Sequence, residues 1–217
     1  MGRMIRKILL FSVTACPMGR SMQTVVQEVG RQLNGIEHEV VYADVQHDPT
    51  NQYRITQNPT VVFLDEREKE CYRVVGFIET QELIDLIRRV ETGEVIQLES
   101  VPNALASQEK YTVYLYDGAV PIPVETVYNN KTAVVTPRIT AIRLLLETTA
   151  EGFINPFPPN SALMKVDFTD RVASVEIQVE EQVSSMETVK MEQTLLYTLR
   201  HFEIQTVDLR LYAKTLQ

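Results

Sequence analysis

The residues best suited to chemistry lie near the N-terminus, where Cys16 is followed by Pro17, Met18 and Gly19. Cys16 is a candidate nucleophile because a cysteine thiolate attacks sulfur and carbon electrophiles near neutral pH. An apolar run over residues 7–13 predicts a strand before it. Apolar residues at helical spacing predict a helix after it: Met22, Val25, Val26, Val29 and Leu33. A thiol at the start of a helix is expected to favour the thiolate form, because the helix dipole is positive there.

The remaining polar residues do not form a second candidate site. His38, His47 and His201 are scattered without the spacing of metal ligands, and we expect each at the surface. The two cysteines, Cys16 and Cys71, are too few for a disulfide scaffold or a zinc cluster. Glycine-rich nucleotide-binding, zinc-protease and serine-hydrolase motifs are absent from the sequence. We therefore predict no cofactor and no metal site.

Composition indicates an ordinary globular protein with an acidic surface. The chain has 217 residues, of which 44% are hydrophobic and 23% charged, which is enough for two small domains. Its net charge of −8 argues against nucleic-acid binding, since such contacts depend on Lys and Arg neutralising phosphate. The sequence also lacks the run of about 20 apolar residues that an integral membrane span requires.

The elements that must position Cys16 follow from hydrophobic patterning in the first half. Strands are predicted at residues 7–13, 39–44, 60–64 and 71–77, with helices after Cys16, after Asp48 and through residues 83–90. This order, βαβαββα, predicts an α/β fold with a mixed sheet and helices on its faces.

A second α/β domain is predicted after a linker. Residues 93–110 lose periodicity and contain Pro102 and Asn103, so we place the linker there, between domains at residues 1–92 and 111–217. The second half then shows strand patterns at residues 111–116, 163–168, 172–179 and 207–212, and helix patterns at residues 137–146 and 191–199.

The first half resembles the thioredoxin family over roughly residues 5–92. Residues 11–19, FSVTACPMG, resemble the family's first strand and active-site loop, and residues 53–63, YRITQNPTVVF, resemble the stretch that carries its cis-proline. The resemblance implies that Cys16 takes the nucleophilic position at the helix N-terminus. It also implies that Pro59 is a cis-proline packed against Cys16.

Two residues depart from that family pattern. Gly19 stands where the family has its second, resolving cysteine, and Ala15 replaces the usual aromatic residue. Because a partner thiol is needed to release a mixed disulfide, repeated dithiol exchange is not expected. Cys71 lies in a predicted strand, where a lone cysteine is more often a small buried hydrophobe. Two alternatives for Cys16 stay open, an unused thiol and a monothiol that forms mixed disulfides.

The second half resembles the GerMN domain, which occurs in bacterial sporulation and germination proteins and in some envelope lipoproteins. The resemblance covers about residues 111–214 and depends on residues 113–116 (VYLY), 140–147 (TAIRLLLE), 158–163 (PPNSAL), 193–199 (QTLLYTL) and 207–211 (VDLRL). It implies a structural or protein-binding module without catalytic residues.

The predicted function is that of a non-catalytic bacterial interaction or scaffolding protein, linked by its second half to sporulation or the cell envelope. The alternative is a monothiol thiol–disulfide oxidoreductase that uses Cys16. We expect a protein partner and a cytoplasmic location. A second localisation is left open, because residues 13–16, VTAC, follow basic residues and resemble a lipobox. Cys16 would then anchor a membrane lipoprotein.

Overall fold

The computed structural model describes residues 4–95, 107–180 and 183–214. The chain divides into two compact units, one comprising Met1–Ser107 with Asn130–Val135 and the other Gln108–Asn129 with Thr136–Gln217. Both units contain helices and strands, so the α/β class predicted from the sequence is confirmed.

The elements of the first unit follow the predicted order βαβαββα. They are β1 (Lys7–Ser12), α1 (Pro17–Gln32), β2 (Glu37–Tyr42), α2 (His47–Gln52), β3 (Thr60–Leu64), β4 (Glu70–Val75) and α3 (Thr80–Thr92). Helix α1 has Pro17 in its first turn, where the missing amide hydrogen costs no intrahelical bond. Helix α3 ends at Gly93, whose left-handed φ of 80° allows the chain to leave the helix.

The four strands of this unit form one mixed sheet in the order β2-β1-β3-β4. Strand β1 is parallel to β2 and antiparallel to β3, and β4 is antiparallel to β3. Parallel neighbours need a crossover connection, which α1 provides between β1 and β2. Strand β1 therefore lies inside the sheet, with Ile8 to Ser12 all buried.

Both faces of β1 are covered by apolar side chains. Ile8 and Leu10 belong to the core cluster that includes Met22 of α1 and Leu83 of α3. Phe11 points to the opposite face, because successive side chains of a strand alternate. Its ring centroid lies 5.7 Å from that of Tyr53, the residue that ends α2. Burial on both faces explains why the strand is a continuous apolar run rather than an alternating pattern.

The second unit contains two smaller sheets and two helices. Its elements are β5 (Ser107–Asp117), β6 (Val120–Asn130), α4 (Pro137–Glu147), β7 (Ala162–Thr169), β8 (Val172–Val179), α5 (Ser185–Arg200) and β9 (Thr206–Ala213). Strands β5 and β6 pair with each other, and the second sheet has the order β7-β8-β9. Strand β8 is antiparallel to β7 and parallel to β9, so α5 is the crossover between β8 and β9.

Strand β6 is an element that the sequence analysis did not predict. It contains Pro121 and Pro123, which cannot donate backbone hydrogen bonds and normally argue against a strand. In the structure β6 pairs with β5 alone, as an edge strand of a two-stranded sheet. An edge strand tolerates proline where the amide would face away from its neighbour.

The junction between the two halves is partly described. Strand β5 begins at Ser107 rather than at Tyr111, so residues 107–110 of the predicted linker are strand. Residues 96–106 lie outside the described residues. The linker at residues 93–110 and the domain limits 1–92 and 111–217 therefore stay predictions.

Candidate functional site

Strand register brings Cys16 and Pro59 to the same end of the first sheet. Phe11, near the end of β1, pairs with Thr60 at the start of β3. Cys16 follows β1 by a short loop, and Pro59 comes directly before β3. The antiparallel pairing of these strands thus places the two predicted site residues at one edge.

Cys16 is the N-cap residue of α1. Its backbone is extended, with φ −69° and ψ 124°, and the residue is buried, with 7% of its surface exposed. The Cys16 amide donates to the Val13 carbonyl at 3.1 Å, and the Arg20 amide donates to the Cys16 carbonyl at 3.1 Å. Amides in the first turn of a helix lack intrahelical acceptors, and their partial positive charge favours a negative sulfur at this position.

The loop before Cys16 is fixed by a carboxylate from the end of β2. The Thr14 amide and hydroxyl donate to the two Asp44 carboxylate oxygens, at 3.0 and 2.6 Å. Ala15 then takes a left-handed conformation, with φ 65°, and its carbonyl accepts a hydrogen bond from Arg20 Nη1 at 2.8 Å. These bonds determine where the chain enters α1 and therefore where the Cys16 thiol lies.

The peptide bond between Asn58 and Pro59 is cis, which confirms that prediction. On this loop, Asn58 Nδ2 donates to Cys16 Sγ at 3.1 Å. Asn58 Oδ1 is buried and has no hydrogen-bond partner in the described part of the chain. The Asn58 amide therefore directs its donor, and not its acceptor, at the thiol.

Gly19 occupies the position expected for a resolving cysteine. A Cβ built on Gly19 would lie 3.5 Å from Cys16 Cβ, within the range that disulfides require. The same Cβ would overlap Ser12 Oγ and lie only 3.0 Å from Ser12 Cβ. Ser12 is buried, so its hydroxyl cannot simply turn into solvent. The room for a second thiol beside Cys16 is thus filled by Ser12.

Cys71 lies at the other end of the sheet from Cys16. It is in β4 next to Glu70, which pairs with Leu64, and Leu64 in turn pairs with Lys7 at the start of β1. Along β1, Lys7 lies about four residues before Phe11, which is near the end of the strand that leads to Cys16. At about 3.3 Å per residue, this separation is roughly 13 Å. Disulfides need Cα atoms within about 7 Å. The structure accordingly has no disulfide between Cys16 and Cys71.

Among the described residues, no group of three or more His, Cys, Asp or Glu side chains is placed to hold a metal ion. His38 and His201 are exposed and His47 is half-buried. In the parts of the chain that the structure describes, every helix is too short or too polar to cross a membrane.

The lipobox alternative conflicts with the position of β1. Signal cleavage before Cys16 would remove residues 7–12, the strand that joins β2 to β3 in the sheet. It would also remove Ile8 and Leu10 from the core. A chain that began at Cys16 could not form this sheet.

Three residues of the site were not singled out from the sequence: Ser12, Asp44 and Asn58. Ser12 acts through its packing against Gly19 of α1, and Asp44 through its hydrogen bonds with Thr14; no local pattern reveals these tertiary contacts. Asn58 carried a usable signal, because it precedes Pro59 directly and a cis peptide places both residues beside the helix N-terminus.

Comparison with solved structures finds thioredoxins over about 40% of the chain. Malaria-parasite thioredoxin-2 is 19% identical, with a TM-score of 0.37, over 41% of this chain and 85% of that one. Thioredoxin 1 of Thermosipho africanus is 26% identical, with a TM-score of 0.36, over 41% of this chain and 99% of that one. The thioredoxin of Fasciola hepatica is 24% identical, with a TM-score of 0.35, over 39% of this chain and 79% of that one.

No protein-family model and no curated protein matches the sequence. The description of the first unit as thioredoxin-like therefore depends on its own geometry. That geometry comprises the strand order β2-β1-β3-β4, the cysteine at the N-cap position of α1 and the cis-proline at the same end of the sheet. On these observations the first unit has a thioredoxin-like fold.

Proposed function

We propose that the chain is a non-catalytic interaction protein whose thioredoxin-like unit binds a protein partner. The packing of Ser12 against Gly19 carries the proposal, because it leaves no space for an internal resolving thiol. Repeated dithiol exchange needs that second thiol to release each mixed disulfide. The site therefore keeps the shape of a thiol–disulfide site without its means of turnover.

An apolar rim supports binding at the Cys16 end. Met18, Val75 and Phe77 are 47, 50 and 50% exposed, which is high for large apolar side chains on one small surface. Val75 pairs with Thr60, next to Pro59, and the Gly76 amide donates to the Pro59 carbonyl at 2.9 Å. The rim suits a partner that offers an apolar segment.

Site-specific photocrosslinking tests this surface. A photoreactive residue at Phe77 is expected to form one dominant adduct in cells. Val189, which is 51% exposed on α5, is the matched control position. The same adducts at both positions, or none at Phe77, would contradict a binding role for the rim.

Monothiol exchange at Cys16 is the second candidate function, and the Asn58 hydrogen bond favours it. A Cys16 thiolate would attack a disulfide R–S–S–R′, forming Cys16–S–S–R and releasing R′–S⁻. An external thiolate such as that of glutathione, GS⁻, would then attack the R sulfur of Cys16–S–S–R, forming GS–S–R and releasing the Cys16 thiolate. The two exchanges balance without any further oxidant.

Two activity assays separate these functions. Insulin reduction driven by dithiothreitol is expected to stay at the level of Cys16→Ser under either proposal. Glutathione-coupled reduction of a small mixed disulfide is expected to exceed that blank only if Cys16 is a working monothiol. Cys71→Ser should match the unmodified chain in both assays. Activity that required Cys71 would contradict both proposals.

The second unit is proposed to be a GerMN-like interaction module of a bacterial protein that works in the cytoplasm. Its support is the resemblance of residues 111–214 in order and hydrophobic pattern. Deletion of the gene in its native bacterium, complemented with each unit separately, would test a role in sporulation or the envelope. Normal sporulation and a normal envelope in the deletion strain would contradict that role, and fractionation of the tagged protein would test the compartment.

A further inference from the structure

Strand β6 of the second unit has an open edge. In the described part of the chain it pairs with β5 alone. Both strands have 11 residues, and the two-residue turn Gly118–Ala119 joins them. Gly118 has a φ of 60°, as the first central residue of a type II′ turn does. Such a turn pairs Asp117 with Val120, so the backbone N–H and C=O of Val120 face β5.

Alternation along the strand then determines which backbone groups point to the open edge. In an antiparallel pair, every second residue turns its N–H and C=O toward the neighbouring strand, and the residues between turn them away. Counted from Val120, the outward residues are Pro121, Pro123, Glu125, Val127 and Asn129. The two prolines agree with this assignment, because proline has no N–H to give to β5. The 3.0 Å hydrogen bond from Gln108 Nε2 to Asn129 Oδ1 also agrees, since this register sets the two residues opposite each other.

The two halves of this edge differ in the hydrogen bonds they can make. Near the turn, Pro121 and Pro123 offer carbonyl oxygens without amide donors. Beyond them, the outward amides of Glu125, Val127 and Asn129 donate to no group in the parts of the chain that the structure describes. All three residues are exposed, Val127 to 51%. An exposed strand edge with free donors and acceptors is a template for pairing with another strand.

The half of β6 that carries donors is complementary to itself. In an antiparallel two-fold pairing centred on Val127, Val127 pairs with Val127 of a second copy, and Glu125 pairs with Asn129 of that copy. Every outward amide then meets a carbonyl oxygen. A centre at Glu125 would set Pro123 opposite Val127 and lose a donor, and a centre at Asn129 would set Val127 opposite Lys131, beyond the end of the strand. The prolines and the strand end therefore select the register centred on Val127.

The side chains fit the same register. Glu125 would lie beside Asn129 of the second copy, because residues opposite each other in a strand pair share a face. Asn129 uses its Oδ1 to accept from Gln108, so its Nδ2 is left to donate. The exposed Glu125 carboxylate is the acceptor that this amide would meet. The pairing thus joins a carboxylate to an amide rather than two like charges, in a chain whose net charge is −8.

We propose that β6 is a self-association strand, by which two copies of the chain pair edge to edge and join their two-stranded sheets into one. The occupant is a second copy rather than a strand of another protein, because the length, register and side chains of the half that carries donors match themselves. A few paired residues make a small contact, so the association is expected to be weak and to depend on concentration. The inference is independent of the Cys16 end of the first unit and goes beyond the function proposed for it.

Analytical ultracentrifugation of the full chain measures the association. The mass is expected to rise from 24.8 kDa toward twice that value as the concentration increases. Val127→Pro removes the central outward donor and leaves the β5 ladder intact, as Pro121 and Pro123 do, so it should weaken association about tenfold. Val127→Ala keeps the donor and is the matched control, which should weaken association far less.

Disulfide cross-linking tests the register in a chain that carries Cys16→Ser and Cys71→Ser. Val127→Cys should form a linked dimer under mild oxidation, because residues of a hydrogen-bonded antiparallel pair have Cα atoms about 5.5 Å apart. Glu125→Cys is the matched control on the same edge. Its two copies would lie about four residues apart along the strands, or roughly 13 Å, and should stay unlinked. A mixture of Glu125→Cys and Asn129→Cys chains should link to each other.

A monomer mass over the whole concentration range would overturn the proposal and show that the prolines protect the edge instead. A dimer that persists unchanged in Val127→Pro, or that links through Glu125→Cys as readily as through Val127→Cys, would also overturn it, since the copies would then meet elsewhere. A photoreactive residue at Val127 that joins the chain to another protein and never to itself would assign the edge to a different partner. If Val127→Pro fails to fold, the cross-linking pattern carries the same test.

Discussion

At the residue scale, the site is defined by Gly19 and by the Ser12 side chain, which fills the space that a side chain at position 19 would need. Gly19 lies where a second sulfur would reach Cys16, and Ser12 Oγ occupies the volume that its side chain would need. A Gly19→Cys substitution therefore meets a steric obstacle that the sequence of the loop does not show. The obstacle to a second thiol therefore lies in β1 as well as in the loop.

The first prediction concerns restoring that thiol. Gly19→Cys alone should destabilise the chain by about 1–3 kcal/mol, because the new Cβ overlaps a buried side chain. Adding Ser12→Gly should relieve the overlap and allow a disulfide with Cys16. Thiol titration and insulin reduction would detect the gain, with Ser12→Gly alone as the control. Equal stability of Gly19→Cys and the unmodified chain would show that the space is not limiting.

A second prediction concerns the loop that carries Cys16. Asp44→Ala removes the acceptor of both Thr14 hydrogen bonds and should cost about 2 kcal/mol, since bonds to a charged group are among the stronger ones. Urea denaturation measures the change. Glu66→Ala, at an exposed turn of the same unit, should change stability by less than about 0.5 kcal/mol. Equal losses in the two variants would mean that the Asp44 contacts are not what fixes the loop.

At the element scale, hydrophobic pattern predicted the whole order of the first unit. Strand β1 is a continuous apolar run because both its faces are covered, and α1 and α3 carry apolar stripes that face the core. The pattern failed at β6, where Pro121 and Pro123 concealed an edge strand. Cys16 and Pro59 could be identified because their residue types and order are distinctive. Ser12 and Asp44 could not, since their contacts with Gly19 and Thr14 exist only in the folded chain.

The third prediction concerns the start of α5. The Ser184 side chain accepts from the Glu187 amide, and the Glu187 carboxylate accepts from the Ser184 amide and hydroxyl, which together form a capping box. Ser184→Ala should therefore destabilise the second unit by about 1 kcal/mol near neutral pH. Ser185→Ala, one residue inside the helix, is the matched control and should cost much less. Thermal or urea unfolding at pH 7 measures both variants.

The same cap should weaken in acid. The hydrogen bond from the Ser184 side chain, followed by that from its backbone, lowers the pKa of Glu187. A carboxyl group whose pKa is lower in the folded chain contributes stability above its unfolded value of about 4.3 and loses it as the pH falls through the folded value. The difference between Ser184→Ala and the unmodified chain should therefore shrink below about pH 4. A difference that stays constant in acid would show that the Glu187 carboxylate is not part of the cap.

At the scale of the whole molecule, the chain comprises two units with separate sets of buried apolar residues. The core cluster of the first unit is drawn from residues between Ile5 and Val90. In the second unit, buried apolar residues come from β5, α4, β8 and α5, among them Leu115, Ile142, Val175 and Leu195. Each set is large enough to support a small domain. The first unit also includes Asn130–Val135, which come from the second half of the sequence.

The last prediction follows from this division. A specific protease site inserted near residue 100, inside the predicted linker, should allow cleavage into two pieces that each unfold cooperatively in urea. The N-terminal piece loses its covalent link to Asn130–Val135 but keeps every residue of its core cluster, so its fold should survive with reduced stability. Its Cys16 should still react with iodoacetamide at the rate seen in the uncut chain, because the hydrogen bond from Asn58 and the packing of Ser12 beside Gly19 both lie within residues 12–60. If either isolated piece gives a non-cooperative transition, or if Cys16 changes its rate on cleavage, the halves share one core and the boundary at residues 93–110 is wrong.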